Sequence, residues 1–222
     1  MESIHSYKRS IRIAPYFIML CVGLILLSAC TFANSDELTT TLNYEELTLL
    51  RQQAEQGDAT AQTDLGRIYL HGRDVPQNYE QALYWFRKAA VQGHSQAQTN
   101  LGVMYHLGYG VSQNYEHAVH WYRKAAEQNE PQAQNALGWM YHFGYGVPQN
   151  SFQAVFWVKS AAEQDDHWAQ NNLGAMYYYG FGVQQSYEQA AYWFRRVIAQ
   201  GDTDATAQAR ENLAMIMARY RY

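Results

Sequence analysis

The chain has 222 residues, 48% of them hydrophobic and 16% charged, and a formal net charge of −4. From Cys30 onward there are 13 Lys and Arg (16 less Lys8, Arg9 and Arg12) against 19 Asp and Glu (20 less Glu2), a net charge of −6. A nucleic-acid-binding protein presents a basic face to the phosphates, so this composition excludes nucleic acid as the partner. It predicts a mildly acidic protein.

The amino terminus is predicted to be an export signal. Lys8, Arg9 and Arg12 precede an apolar run over residues 16–29. The run has 14 residues, fewer than the roughly 18 that a membrane-spanning helix needs, and basic residues before a short apolar run are typical of a signal peptide. We therefore expect residues 1–29 to direct export and to be removed.

The motif at the end of this run, Leu27-Ser28-Ala29-Cys30, resembles the lipobox of bacterial lipoproteins. The resemblance implies cleavage before Cys30 and lipidation of its thiol. Cys21 is removed with the signal peptide, so the mature chain has no second cysteine with which Cys30 could form a disulfide. Thr31, rather than Asp, follows Cys30, which by the same resemblance favours the outer membrane.

Two other fates of the amino terminus stay open. Thr31 and Ala33 are small residues that suit ordinary signal cleavage after Ala33, which would give a periplasmic or secreted protein. An uncleaved segment would act as a single membrane anchor. In the lipoprotein interpretation, the polar residues 30–43 form a short tether that holds the folded part near a membrane surface without inserting it.

A unit of 36 residues fills the rest of the chain. It is marked by Trp85, Trp121, Trp157 and Trp193, each preceded at fixed distances by a Leu-Gly pair, a tyrosine and a glycine. A period in this range indicates stacked structural repeats, so residues 44–222 are predicted to form one solenoid. The predicted repeats span 58–93, 94–129, 130–165 and 166–201, with terminal half-repeats at 44–57 and 202–222.

Each unit is predicted to be a helix, a turn and a second helix. In the second unit Ser95 can cap the first helix, whose residues Ala97 and Leu101 lie four apart on one face. Gly108 follows that helix, where the chain often needs the left-handed conformation. The residues expected to cap the second helices are Asn78, Asn114, Asn150 and Ser186.

Two departures from the period also lead to predictions. Asp74 stands where the other three units have glycine in the turn, and Asp tolerates the left-handed region well enough to keep that turn. Leu213 follows Leu173 by 40 residues instead of 36. The extra residues fall in 201–207, which we expect to be a loop before the last helix.

The repeated frame Leu-Gly-x-x-Tyr-x-x-Gly-x-Gly-Val, followed by Ala-x-x-Trp-x-x-x-Ala-Ala, resembles the Sel-1-like repeat, a relative of the tetratricopeptide repeats. The resemblance covers about residues 44–220 and implies an all-α fold, a right-handed α-solenoid of stacked helix-turn-helix repeats. Residues 44–56 and 206–220 are each predicted to be one helix of a half-repeat. Ten helices are therefore expected.

Function is expected from residues that depart from the repeat, because packing explains the periodic ones. Trp139 and Trp168 lie outside the period, and on a helical wheel of about 100° per residue both fall opposite the core stripe of the first helices. In tetratricopeptide-like stacks the first helices line the concave groove, so the resemblance implies that this stripe faces a ligand. The predicted peptide-binding groove consists of Asn100, His106, Asn135, Trp139, His142, Phe143, Trp168, Asn171, Tyr178 and Tyr179.

The chemistry of these residues suits a protein or peptide partner. Asn side chains can pair with an extended backbone, and aromatic rings can form apolar pockets for its side chains. Alternatively, part of the stripe packs against the first helix of the next unit. A third interpretation is an envelope adaptor that binds through its convex face, where second-helix residues such as His117 and Arg123 would matter.

No catalytic residue, cofactor site or metal site is predicted. His117 and His120 could share a face of a second helix, but an exposed polar face explains them better than a metal site. Some cysteine-rich members of the resembled family are associated with β-lactam binding or hydrolysis. Their paired cysteines and any Ser-x-x-Lys motif are absent from this sequence, so we do not expect an enzyme.

Overall fold

The computed structural model describes residues 43–201 and 204–219, all within one compact unit, Thr41–Tyr222. Over these residues the fold is all-α, and successive helices pack against each other along the chain, which confirms the predicted solenoid and its ten helices. The helices are α1 (Tyr44–Glu55), α2 (Ala59–His71), α3 (Tyr79–Val91), α4 (Ser95–Leu107), α5 (Tyr115–Ala126), α6 (Pro131–Phe143), α7 (Ser151–Glu163), α8 (His167–Tyr179), α9 (Tyr187–Ala199) and α10 (Asp204–Arg219). None of these helices is both long and apolar enough to cross a bilayer.

The periodic tryptophans fill the space between units. Trp85 of α3, 7% exposed, packs with Leu47 of α1 and Leu65 of α2. Trp193 of α9 packs in the same way with Leu173 of α8 and with residues of α7. Each of these rings therefore contacts both helices of the stack that precede it, which explains why the tryptophan recurs with the full repeat period.

Side-chain caps begin the second helices as predicted. The backbone N–H three residues along the chain donates to the side-chain oxygen of Asn78, Asn114, Asn150 and Ser186 at 2.9–3.2 Å. These bonds satisfy N–H groups that have no partner inside the helix.

The predicted cap of α4 is wrong. His94 precedes the helix, and its Nδ1 accepts the N–H of Ala97 at 3.4 Å. Ser95 is the first helical residue instead, and its hydroxyl donates to Glu130 at 2.8 Å. Serine is the commoner cap, but here its hydroxyl is used to bridge α4 to the turn before α6.

The turn predictions hold. Gly108 has φ 76° and Asp74 has φ 60°, so both lie in the left-handed region. The glycine of the Leu-Gly pair has another reason to recur: a Cβ on Gly102 would lie 2.6 Å from the Tyr122 ring. The helices of a unit therefore approach more closely than a larger residue at this position would permit.

The last helix begins two residues before its predicted start at 206, and it is longer than the other first helices. α10 begins at Asp204 and has 16 residues, against 13 in α8. The prediction of a loop over 201–207 is therefore wrong for Asp204 and the residues after it. Ala205 and Thr206 are fully buried, and Ala205 packs against α9, so apolar burial favours an additional helical turn over a longer loop.

A ladder of buried glutamines joins the units, and the sequence analysis missed it. Gln62, Gln98, Gln134 and Gln170 are each at most 3% exposed. Each donates its amide N–H to a backbone carbonyl of the preceding second helix at 2.9–3.2 Å. Each also accepts an amide N–H at 2.8 Å from a glutamine at the end of the next second helix. The 36-residue recurrence of these glutamines was the signal that could have revealed the ladder.

Candidate functional site

The first helices form the inner layer of the solenoid. α8 contacts both α6 and α10, whereas no two second helices make a comparable contact within the described part of the chain. The side on which neighbouring units approach more closely is the inner side of a curved stack. We call the exposed side of α4, α6 and α8 the concave face.

The concave face carries no charged residue in its three central units. α4, α6 and α8 contain no Asp, Glu, Lys or Arg. The first unit differs, because α2 carries Asp64 and Arg67, which form an ion pair at 3.7 Å. Charged residues of the central units lie on second helices and in turns.

A stack of four aromatic rings connects the second and third units. Trp139 stacks on Phe143 with ring centres 5.4 Å apart and an interplanar angle of 14°. Phe143 stacks on Tyr145 at 5.5 Å, and Tyr145 stacks on Tyr115 at 4.8 Å. All four side chains are half-buried. We call these four rings the ring stack.

The aromatic surface continues from the third unit into the fourth. His142 lies edge-on to Trp139 at 5.4 Å and to Phe143 at 4.7 Å. It also contacts Phe181 at 5.3 Å, and Phe181 stacks on Tyr179 at the same distance. Tyr178 extends this series of contacts, because its ring centre lies 4.8 Å from that of Tyr179. Five of the predicted groove residues therefore form one connected surface. These five, Trp139, His142, Phe143, Tyr178 and Tyr179, are called the aromatic surface.

A shallow depression lies beside this surface, between α8 and α10. Ala175, Tyr178 and Tyr179 form its wall on one side, and Asn212 and Met215 form it on the other. Met215 is 42% exposed, so the depression is open and largely apolar. The sequence analysis did not include residues of α10 in the groove.

His106 is buried behind the surface. Its ring is 5% exposed and is surrounded by Tyr115 at 5.4 Å and by Tyr122 and Tyr145 at 6.4 Å. Burial lowers the pKa of His106 to about 4 and also lowers the pKa of His142. Both imidazoles are therefore neutral at pH 7, and His106 supports the rings rather than reaching the solvent.

Two of the predicted amides link neighbouring first helices. Asn135 accepts the side-chain N–H of Asn172 at 2.9 Å, and Asn171 accepts that of Asn212 at 3.3 Å. Asn135 and Asn171 are 6% and 5% exposed. Their carbonyl oxygens therefore hold the stack together, as in the alternative in which the stripe packs against the next unit. Asn100 is half-exposed.

Trp168 lies apart from the aromatic surface. It is half-buried and packs against the core between α9 and α10. Trp168 stands in the first turn of α8, whereas Tyr178 and Tyr179 stand in the last, a separation of about 15 Å along the helix axis. The ten predicted groove residues are therefore not one cluster.

The convex face has an apolar patch that the sequence analysis missed. Phe152 and Phe156 lie four residues apart on α7 and are 80% and 57% exposed. The other units place Glu80, Glu116 and Glu188 at the position of Phe152. Departure from the repeat, the same signal that singled out Trp139, could have found this patch.

Two convex residues named from the sequence make internal contacts. Arg123 donates to the hydroxyl of Tyr141 at 2.9 Å, and His117 stacks on Tyr105 at 5.1 Å. Changing either residue would therefore disturb packing as well as the surface. No three His, Cys, Asp or Glu side chains come together as a metal site over residues 43–201 and 204–219.

A family model of the Sel1 repeat matches residues 59–94, 95–130, 131–166 and 169–202. The chain belongs to the Sel1 repeat family. The predicted resemblance is therefore confirmed, and the four matched segments are the four helix-turn-helix units. Sel1 repeats generally form a scaffold that mediates protein–protein interaction.

Solved structures agree with this assignment. The protective antigen c5321 of uropathogenic Escherichia coli, which displays an SLR fold, is 36% identical with a TM-score of 0.68, over 78% of this chain and 41% of its own. This Sel1 repeat protein thus spans less than half the length of that antigen. A Sel1 repeat protein from Oxalobacter formigenes is 33% identical with a TM-score of 0.66, over 88% and 74% of the two chains.

A more distant structure shares the fold alone. The immunity protein Pa5087 from Pseudomonas aeruginosa is 18% identical with a TM-score of 0.54, over 89% of this chain and 80% of its own. No curated protein sequence matches this Sel1 repeat protein.

Proposed function

We propose that this Sel1 repeat protein binds a protein or peptide segment along its concave face, with the aromatic surface at the centre of the contact. The observation that carries the proposal is the stacked pair Trp139 and Phe143, which places two half-buried aromatic side chains on a helix without Asp, Glu, Lys or Arg. Trp and Tyr are the residues that most often dominate binding energy at protein interfaces. The shallow depression beside Tyr178 adjoins this contact.

The rings are held in place before a ligand arrives. Trp139 and Phe143 are fixed against each other, and His142 contacts both edge-on. Side chains that are already ordered lose little conformational entropy on binding, so more of the contact energy remains as affinity. The same positions in the second unit hold Val103 and Leu107, which provide no such platform.

An experiment on the full-length protein tests this proposal. A photo-crosslinking residue is placed at Leu107, on the concave face next to the aromatic surface, in the cells that produce the protein. We expect a captured partner whose yield falls at least about tenfold in the variant Trp139→Val/Phe143→Leu, a loss of about 1.4 kcal/mol or more. This substitution gives the third unit the residues of the second and is called the repeat-matched variant. Unchanged capture from this variant would contradict the proposal.

A second candidate function is an adaptor that binds through the convex face. The exposed Phe152 and Phe156 on α7 favour it, because neighbouring exposed aromatic side chains are a typical interaction feature. A photo-crosslinking residue at Phe152 distinguishes the two functions. The adaptor would be supported if a partner were captured from Phe152 in both the wild type and the repeat-matched variant, and if no partner were captured from Leu107.

The proposed cellular setting is the outer membrane, through a lipid on Cys30. This residue, the signal peptide over 1–29 and most of the tether over 30–43 lie outside the described residues. The support is the lipobox-like sequence before Cys30. A tether of that length reaches at most about 50 Å, which keeps the solenoid close to the bilayer.

Metabolic labelling with an alkyne fatty acid tests the anchor. We expect the wild-type protein to take up the label and to fractionate with the outer membrane, and Cys30→Ala to lose both properties. An unlabelled mature protein that begins after Ala33 would show ordinary cleavage and a periplasmic or secreted location. An unlabelled protein that keeps residues 1–29 would show a single uncleaved anchor.

A further inference from the structure

We infer that the concave face selects a short peptide segment without charged side chains. This inference rests on the proposed function and adds the chemistry of the partner. It follows from three features of the central units: the absence of Asp, Glu, Lys and Arg, the pairing of buried amide side chains, and the way in which the rings are presented.

The uncharged part of the concave face has a definite length. α4, α6 and α8 lack Asp, Glu, Lys and Arg, whereas α2 on one side has Asp64 and Arg67 and α10 on the other has Arg210 and Glu211. Three helices packed about 10 Å apart span about 20 Å between the outer axes. An extended peptide covers that distance with about six residues, so the uncharged segment of the ligand has about this length.

Four buried amide side chains of the central first helices are already paired. Asn135 bonds to Asn172, and Asn171 bonds to Asn212. Gln98 and Gln134 bond to backbone carbonyls. A charged ligand side chain placed here would lose water and gain no counter-charge, and burial of an unpaired charge is costly.

The two histidines next to the rings, His106 and His142, do not supply a charge either. His106 and His142 are neutral at pH 7 because burial lowers the pKa of each. The face therefore offers no cation to an acidic segment and no anion to a basic one.

The two inner rings of the ring stack also disfavour a cationic partner. A cation binds an aromatic ring over its face, and this occurs on the second helices, where Lys124 lies 5.1 Å from the Trp121 ring centre. In the ring stack, Phe143 and Tyr145 each have a stacked neighbour on both sides. Their edges, which carry partial positive charge, are what remains for a ligand. Peptide carbonyl oxygens and apolar side chains suit such edges better than Lys or Arg.

The test is a selection from a random short-peptide phage library on the full-length protein, purified from membranes in detergent. The repeat-matched variant serves for counter-selection. Among peptides retained by the wild type and lost from the variant, we expect Asp, Glu, Lys and Arg at less than about a third of their frequency in the unselected library. Because surface charges are screened by salt, binding through uncharged contacts should change less than about twofold between 50 and 500 mM NaCl.

A variant that adds charge makes the test sharper. Ala175 borders the depression and occupies the repeat position of Arg67, so the fold accommodates arginine there. In Ala175→Arg we expect the selected peptides to gain acidic residues by about threefold or more. Circular dichroism of each variant checks that it is folded.

The outcomes separate the inference from the proposed function. Peptides that depend on the repeat-matched positions but are rich in charged residues would overturn the inference and leave the proposed function standing. A strong salt dependence, or no gain of acidic residues with Ala175→Arg, would also overturn it. Failure to select any peptide that distinguishes the wild type from the repeat-matched variant would overturn the proposed function and the inference with it.

Discussion

Gln128 at the end of α5 donates its side-chain N–H to the buried carbonyl oxygen of Gln98 at 2.8 Å. Gln98 in turn donates to the Ala90 carbonyl of α3 at 3.1 Å. One glutamine on a first helix thus joins the second helices on both sides of it. The same two bonds recur in all four units, so the ladder is a regular part of the architecture.

Gln98→Met should lower the free energy of unfolding by about 1–3 kcal/mol. The methionine keeps the volume but removes the bond to the Ala90 carbonyl and the bond from the Gln128 amide. Each of these groups keeps a second bond, from the Gly93 N–H and to the Lys124 carbonyl, so the cost is the net contribution of two hydrogen bonds, about 0.5–1.5 kcal/mol each. Urea denaturation followed by circular dichroism measures the change. Gln96→Met on the exposed side of the same helix is the control and should change the value by less than about 0.5 kcal/mol. Equal effects of the two substitutions would refute a structural role for the ladder.

His106 should make stability depend on pH. Its pKa is near 6.5 in the unfolded chain and about 4 in the folded protein, so the unfolded state binds more protons between these values. The free energy of unfolding then falls as the pH falls from about 7 to 4, by at most roughly 3 kcal/mol at 1.36 kcal/mol per pKa unit. His106→Leu should flatten this dependence, while His71 and His142, whose pKa values burial also lowers, keep a residual slope. Parallel pH curves for the wild type and the variant would contradict this account.

Phe152→Glu should stabilise the protein by about 0.3–1 kcal/mol. The substitution restores the acidic residue that the other units place in the first turn of the second helix, where it interacts favourably with the helix dipole. It also removes a side chain that is 80% exposed. Thermal unfolding measures the change in stability. Phe152→Gln removes the ring without adding a charge, so it should stabilise the protein less than Phe152→Glu does. Loss of stability in Phe152→Glu would show that the ring has a structural contact.

The repeat-matched variant should stay folded while losing its ligand. Trp139 and Phe143 are half-buried, and Val103 and Leu107 occupy the same positions in α4, so we expect a cost of less than about 2 kcal/mol in unfolding free energy. Binding of a peptide selected by the wild type should fall at least about tenfold. Denaturation and fluorescence anisotropy measure the two quantities. Leu70→Val in the buried core of α2 is the opposite control, because it should reduce stability and leave the affinity of the folded protein unchanged.

The fold could be predicted from the sequence because one period determines it. Asn114 and Gly108 mark the ends of helices through local bonds and backbone conformation, and such signals need only neighbouring residues. Ser95 was assigned to the cap because serine is the commoner capping residue, but His94 has an acceptor atom within reach of the same N–H. A sequence pattern does not tell which of two adjacent acceptors the chain will use.

The candidate site was predicted less completely. A helical wheel gives the direction of a side chain but not what the next unit places against it. Asn135 and Trp139 lie on the same stripe, yet Asn135 is covered by Asn172 from α8, while Trp139 remains half-exposed. Tyr145 joins the ring stack from a turn, a position that no helical wheel includes. The depression needs Met215, whose place depends on the longer α10.

The glutamine ladder determines the order in which parts of the protein unfold. Because each buried glutamine bonds to two second helices, opening a central unit breaks bonds in both of its neighbours, whereas a terminal unit has a neighbour on one side only. Backbone amides in α1 and α10 should therefore exchange with deuterium first, and those in α6 among the last. Trp139, His142 and Phe143 lie on α6, so a molecule that has frayed from both ends would still hold the centre of its recognition surface in order.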